Sequence, residues 1–408
     1  MSIRQSRTFR RFSGRELIRS GERDKMKLKK HFEQGGKLER LYPVYEMLLG
    51  MLLIPPMPTR SGAHIRDHYD IKRMMVSVII AGVPALILGT YNAGYQHYIS
   101  AGVYASVTDC FIKGAWLVVP IFIVVYAVGG FWEVLFAVVR RHDIAEGFLV
   151  TGFLIPLIVP PTIPLWQVAV GTSFGIVIGK EVFGGTGMNV FNPALVTRAF
   201  IFFAFPSSIS GNEVWTSVGS KVVDTYTMAT PLAIASSAGG SDIVKLLSDN
   251  GYTFSSMFFG IEPGSIGETS AFMILLGGIF LLLNGVASWR IILSVFAGGY
   301  FTALLFNSAA PGAGHPFALP AHYHLVMGGF AFGAVFMATD PVSASATNTG
   351  KYIYGFMIGA LAILVRLVNP AYPEGIMLAI LFMNAFAPLI DSAVIWGSVR
   401  RRQKRASK

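Results

Sequence analysis

Cysteine and charge are the two things this 408-residue chain has least of. It has one cysteine, Cys110. A lone thiol cannot form an internal disulfide and cannot by itself hold a zinc ion or an iron–sulfur cluster. The eight histidines show no metal-ligand spacing. Redox chemistry in this chain must therefore use an organic cofactor or a partner's metal. Charged residues make up 13% and apolar ones 53%, with a mean hydropathy of +0.56. Soluble domains carry about 25% charged residues, so this is a polytopic membrane protein. No cleavable signal peptide is visible, because the first 70 residues are polar and basic. The glycine-rich stretch GKEVFGGTGMNVFNPA (179–194) lacks both the Walker spacing and a strand-turn-helix setting. The stretch is therefore no nucleotide-binding motif.

Glycine (44) and phenylalanine (31) are plentiful, as close helix packing in lipid requires. A helical span needs about 20 apolar residues, and ten candidates can be read: 72–92, 113–138, 146–160, 163–183, 192–206, 268–287, 289–308, 322–339, 351–368 and 373–396. The third and fifth are short, and the third ends in the breaker run PPTIP, which suggests half-helices lining a cavity. The net charge of +11 gathers at the ends, with seventeen Lys/Arg against eight Asp/Glu in residues 1–73 and a tail of SVRRRQKRASK. An even span count puts both basic termini in the cytoplasm. It also leaves the polar stretch 207–267 outside, in the periplasm of a bacterial inner membrane. Such basic arms suit anionic lipid rather than nucleic acid.

A faint repeat links the third and eighth spans (Gly147-Phe148 with Gly329-Phe330) and the fifth and tenth (Asn192-Pro193-Ala194 with Asn369-Pro370-Ala371). Each pair lies five spans apart, and an odd number per half inverts the second half. The expected fold is all-α, with about ten transmembrane helices in two inverted five-helix halves around a channel-like core. Its parts are a cytoplasmic arm (1–70), a first half (71–206), the external loop (207–267), a second half (268–396) and a cytoplasmic tail (397–408). Within the arm, Leu38, Leu41, Tyr45, Leu48, Leu49 and Leu52 recur at helical spacing, which fits an interfacial helix or one packed on a neighbouring chain.

Charged side chains inside spans are functional candidates by default. Glu133, Asp340 and Asp391 stand out. Asp340 and Asp391 lie near span ends, where a capping role is equally natural. Glu133 follows Gly129-Gly130, where a helix or a flat ligand can come close. Arg366 and Glu374 flank the NPAYP break and read as a mutual ion pair, and the HYH run at 322–324 reads as a water-interface feature. Asn189 and Asn192 suit either the edge of a heterocycle or the open backbone of a broken helix. The segment DTYTMAT (224–230), read as pattern alone, is a turn that bonds its own backbone.

Taken together, GGFWEVLF, GKEVFGGTG with NPAL, PGSIGE, GGFAFG, FMATDPVSAS and VNPAYPEGIMLAILF resemble the B-type membrane subunits of the sodium-translocating NADH:quinone oxidoreductases. The likeness runs from about residue 30 to 395. The resemblance implies that Asp224, Ala229 and Thr230 belong to a flavin attachment signal, with Thr230 carrying FMN as a phosphoester made by a flavin transferase. Met228 stands where a small residue is usual. It also implies a non-covalent riboflavin near Asn189 and Asn192, and a quinone site near Gly129, Gly130 and Glu133 roofed by the amino-terminal helix. A Na+ pathway would involve Glu133, Phe332, Phe336, Asp340 and Asp391. Partners would be the A, C, D, E and F type subunits, one of them an NADH-oxidising flavoprotein. Two alternatives remain: the D-type subunit of an Rnf complex, which lacks an arm like HFEQGGKLERLYPVYE, and a cofactor-free channel or transporter, which has no use for DTYTMAT.

Overall fold

The computed structural model describes residues 71–141, 147–210, 214–218, 229–237, 240–369 and 374–407. The amino-terminal arm, residues 224–228 of DTYTMAT, and Pro370-Ala371 of the second NPA run lie outside them. Residues 71–133 and 147–407 belong to one compact unit, and every contact given below lies within it.

All regular structure among the described residues is helical. The order is α1 (Ile71–Ser100), α2 (Val107–Arg140), α3 (Gly147–Leu157), α4 (Leu165–Val177) and α5 (Pro193–Ala204). Three short helices follow, α6 (Pro231–Ser236), α7 (Ile243–Asp249) and α8 (Phe254–Phe259). Then come α9 (Ala271–Leu283), α10 (Trp289–Ser308), α11 (Ala321–Val326), α12 (Phe330–Phe332) with a π-helical turn over Gly333–Met337, α13 (Asn348–Val368) and α14 (Ile376–Ala406). Five of these, α1, α2, α10, α13 and α14, are long and apolar enough to cross a membrane; α3, α5 and α9 are shorter apolar helices. The lipid-facing character is plain from Ile87, Ile112, Trp116, Ile123, Leu283 and Leu305, all apolar and exposed.

The short segments are short for local reasons. The run from Pro160 to Pro164 cannot continue α3, and Pro164 caps the start of α4. Asn192 caps α5 with its Oδ1 on the Ala194 amide, and Pro193 stands at N1. Ser270 caps α9, so the expected sixth span begins at Ala271 rather than 268. The expected eighth span is broken outright. Gly328 takes φ +61°, separating α11 from α12, and the π turn follows, a form that is rare and concentrated at functional sites.

The loop expected over 207–267 is not a bare polar connection. Its described residues fold into α6–α8, and Leu232, Ile234, Ile243, Leu247, Tyr252 and Met257 join the apolar core. It is also tied down: Tyr252 Oη donates to the Ala229 carbonyl (3.0 Å), and Asn92 Nδ2 of α1 donates to the Glu262 carbonyl (2.7 Å).

The packing has a repeating pattern. Helix α1 contacts α3 as α9 contacts α12, α3 contacts α5 as the π turn contacts α14, and α4 contacts α5 as α13 contacts α14. Between these two sets, α1 pairs with α9 and α5 with α14. The most extensive contact joins α10 and α13 through glycines at backbone distance. A Cβ on Gly359 would sit 2.1 Å from the Val295 carbonyl oxygen, and one on Gly298 2.2 Å from that of Phe356. Gly359→Leu is therefore expected to force the two helices apart, at a cost of at least roughly 1–3 kcal/mol. A lower Tm of the detergent-solubilised protein, compared with Leu361→Ala on the same helix, is the measurement.

Candidate functional site: two cavities at the ends of one short helix

The break after α3 leaves carbonyls with no helical partner. The loop before α9 takes two of them, Gly267 N–H donating to Leu157 O (2.7 Å) and Ile266 N–H to Val159 O (3.2 Å). Arg198 of α5 takes the third, donating from Nη1 to Ile158 O. The same guanidinium binds Glu268 Oε1 at 3.0 Å and pairs through Nη2 with the Glu374 carboxylate. Arg198 is 2% exposed. At the second break Arg366 does parallel work, donating to His324 O (2.6 Å), Met327 O (2.9 Å) and Glu374 O (3.0 Å). The expected Arg366–Glu374 ion pair is thus corrected. Arg366 holds the Glu374 backbone, while the carboxylate goes to Arg198, because Arg366's fork is occupied by the carbonyls of the break. The water-interface reading of HYH is corrected at His324 alone, which is buried with no hydrogen-bond partner on either ring nitrogen, while His322 is exposed.

Helix α5 has a cavity at each end. The first is lined by Phe202, Trp215, Leu232 and Pro263, by Thr230, and by the polar groups of Glu262, Ser265, Glu268, Thr269 and Glu374. Thr230 is half-buried at its edge and caps α6, its Oγ1 accepting from Ala233 N–H at 3.2 Å. Ala229 is buried beside it. The loop groups below are displaced from ordinary carboxylate behaviour. Burial pushes Glu262 well above the usual range. Burial likewise pushes Glu268 up to about 7, against the opposing pull of Arg198.

The second cavity lies at the amino end of α5. Asn189, Asn192, Thr151, Lys180, Thr339 and Asp340 give it polar groups, and Phe336, Leu154, Leu281 and Met75 apolar walls. From Pro193 at one cavity to Phe202 at the other is nine residues, about 14 Å along the helix axis. The structure thus brings Asn189, Asn192, Phe336 and Asp340 into one place. Phe332 is fully buried behind them, its ring 5.0 Å from that of Phe336. Both asparagines serve the backbone as well: Asn189 donates to Phe191 O (2.9 Å), while Asn192 caps α5. Asp340 accepts from Ser343 Oγ at 2.7 Å.

The remaining expected residues lie elsewhere. Glu133 is buried in an ion pair with Lys180, so it is no free carboxylate. The bare face of Gly129 is filled by Phe148, whose ring atoms lie 2.3 and 2.4 Å from a notional Cβ there. Gly130 is more open, with Phe148 at 3.9 Å. Asp391 is a fastener, accepting from Ser345 Oγ (2.7 Å), Ala346 N (2.8 Å) and Thr347 N (2.9 Å) ahead of α13. Asp224 lies outside the described residues. Reading the sequence missed Arg198, Glu262 and Glu268. An arginine within the apolar run NPALVTRAFIFF was a usable signal, since a charge there demands buried partners.

These features define a class: a polytopic helical membrane protein whose interrupted helices enclose a polar cavity at either end of a short buried helix. Residues 58–398 match the NQR2, RnfD, RnfE family, and the chain belongs to it. It is 48% identical to the B-type subunit of the Na(+)-translocating NADH-quinone reductase of Chromohalobacter salexigens, covering 93% of this chain and 95% of that one. The same subunits of the Klebsiella pneumoniae (strain 342) and Azotobacter vinelandii reductases are also 48% identical, each over 93% of this chain and 98% of theirs.

Arg198 is the group on which this geometry can be tested. Arg198→Met keeps the bulk but strands two carboxylates and a carbonyl, an expected loss of about 3–5 kcal/mol. Arg198→Lys keeps the charge but cannot span three acceptors, so it should fall between. Thermal unfolding of the solubilised protein ranks the three. Equal Tm for wild type and Arg198→Met is the contrary result.

Proposed function

We propose that this chain is the membrane subunit of a sodium-translocating NADH:quinone oxidoreductase that carries FMN on Thr230. It passes electrons through flavins to quinone and contributes to the Na+ pathway. One observation carries the reading: Thr230, the last residue of DTYTMAT, presents its hydroxyl at the edge of a cavity with aromatic walls, Phe202 and Trp215. Aromatic walls suit a planar ring system, and a phosphoester on Thr230 would tether it beside them. When bound, the flavin supplies one-electron chemistry that no side chain here can. A second flavin, riboflavin, suits the other cavity, where Asn189 and Asn192 offer amides to a heterocycle edge.

The matched packing of α1–α5 and α9–α14 supports two inverted five-helix halves in a ten-span core, with α1–α9 and α5–α14 meeting across the pseudo-axis. The charge pattern supports cytoplasmic termini in a bacterial inner membrane. On this reading the Thr230 cavity faces the outer side, open to a flavin transferase, and the asparagine cavity faces the inner side. NADH is oxidised on a partner flavoprotein, and the A, C, D, E and F type subunits complete the complex. The arm containing HFEQGGKLERLYPVYE favours this reading over an Rnf-type protein. Quinone is proposed to sit at Gly130, the more open of the glycine pair, with Glu133 and its Lys180 partner nearby.

Thr230→Ala should give a folded, inserted chain that has lost fluorescence on a denaturing gel. The lost cap costs only about 1 kcal/mol. Fluorescence retained in that variant would move the attachment to Thr227 or Thr225. Gly130→Leu should lower quinone reduction several-fold while NADH oxidation with an artificial acceptor stays normal. Equal loss with both acceptors would mark a packing defect instead.

A further inference from the structure

We infer that the cavity beside Thr230 contains a monovalent-cation site built on Glu262, in which Na+ exchanges with the carboxyl proton. Glu262 is 2% exposed, and its Oε2 has no hydrogen-bond partner. Its neighbours in the cavity are oxygen donors: the Ser265, Thr269 and Thr230 hydroxyls and the Glu268 and Glu374 carboxylates. Oxygen of this kind is what a hard cation binds.

The local charge decides which cation. Among the described residues, three carboxylates border the cavity, those of Glu262, Glu268 and Glu374. Arg198 binds the carboxylates of Glu268 and Glu374, and Arg366 donates to the Glu374 carbonyl. Glu262 is the acid that neither arginine touches. A buried carboxylate without a partner is held neutral by a proton, and burial raises Glu262 well above the usual range. A single Na+ meets the same need, with the exchange balanced as R–COOH + Na+ giving R–COO−·Na+ + H+. A divalent ion would overcharge the site. The other polar contacts of α1 here are neutral: Asn92 holds the Glu262 carbonyl, and Gln96 donates to Asn92 Oδ1 (3.1 Å).

The position has consequences for transport. The cavity adjoins the break after α3 and lies at the far end of α5 from Asp340. A cation there stands beside the residue proposed to carry a phosphate, and lowers the repulsion between that phosphate and the acidic floor. The site itself is made of this chain's oxygens and does not depend on flavin at Thr230.

The test uses the purified complex, moved from choline chloride to NaCl near neutral pH. Two readings are taken: protons released into weak buffer, and the infrared difference signal of protonated carboxyl groups. Wild type should release protons and lose protonated-carboxyl signal on Na+ addition. Glu262→Gln should lack that part of both signals and raise the half-saturating Na+ concentration for quinone reduction on the order of tenfold. Glu262→Asp, which keeps the carboxyl, should restore the infrared signal and controls for misfolding. Wild-type complex produced without the flavin transferase, which keeps the Thr230 hydroxyl, should keep both signals, which separates this site from the flavin reading. Unchanged proton release and infrared signal in an assembled Glu262→Gln complex would overturn the assignment. So would loss of both signals in the wild-type complex made without the transferase.

Discussion

A helix that stops in a buried interior leaves carbonyls with no water to turn to, and each unsatisfied group costs several kcal/mol. This chain stops two helices that way, at Leu157 and at Val326, and much of the described interior is arranged around satisfying them. Arg198 and Arg366 do so in parallel. Each is buried on an apolar helix, and each aims its fork at the carbonyls of a break in another segment. The choice of arginine is physical, because three acceptors in different directions need a planar donor array rather than a point charge. Glu374 joins the two systems, giving its carboxylate to one arginine and its carbonyl to the other.

The breaks also explain the cavities. Where α3 ends, the chain passes through turns to Pro164, and the loop before α9 donates two backbone hydrogen bonds to it. Side chains that would have filled a continuous helix are displaced, and room opens on the side facing Thr230. At the other end of α5, the cap at Asn192 and the turn after Met337 leave the second opening. Leu154 and Phe336 line this opening, and Phe332 is buried against Phe336.

Much of this was legible in the sequence. Half the usual charge, PPTIP after a short apolar run, and Asn-Pro-Ala at a helix start gave the membrane class, the broken third segment and the α5 cap, because composition, proline and capping act locally. DTYTMAT pointed to Thr230 through resemblance, and its setting as a helix cap at a cavity edge needed the fold. What could not be read were pairings across long separations. Arg198 meets Glu268 and Glu374 at distances of 70 and 176 residues, and no local pattern encodes that. The same limit misassigned Arg366 to the Glu374 carboxylate: eight residues looked near, but the Arg366 fork is taken by backbone carbonyls. His324 was placed in water for its polarity, whereas its burial follows from the segment it belongs to.

The acids of this chain sort by the donors they meet, and this sorting says more about function than their depth. Asp391 is saturated by the turn ahead of α13, which it fastens. Glu133 and Glu181 have Lys180, and Glu268 and Glu374 share Arg198. Each of these would lose a partner by releasing its charge to a passing ion. Asp340 is held more lightly, by Ser343 and the Val342 amide, at the edge of the asparagine cavity. Glu262 has no donor on Oε2 at all. An ion moving through a protein needs stations that bind but do not compete with a permanent counter-charge. Only lightly held or unpaired carboxylates offer that, and the two such acids among these stand at the two cavities, with the helix caps and breaks of α3 and α5 between them.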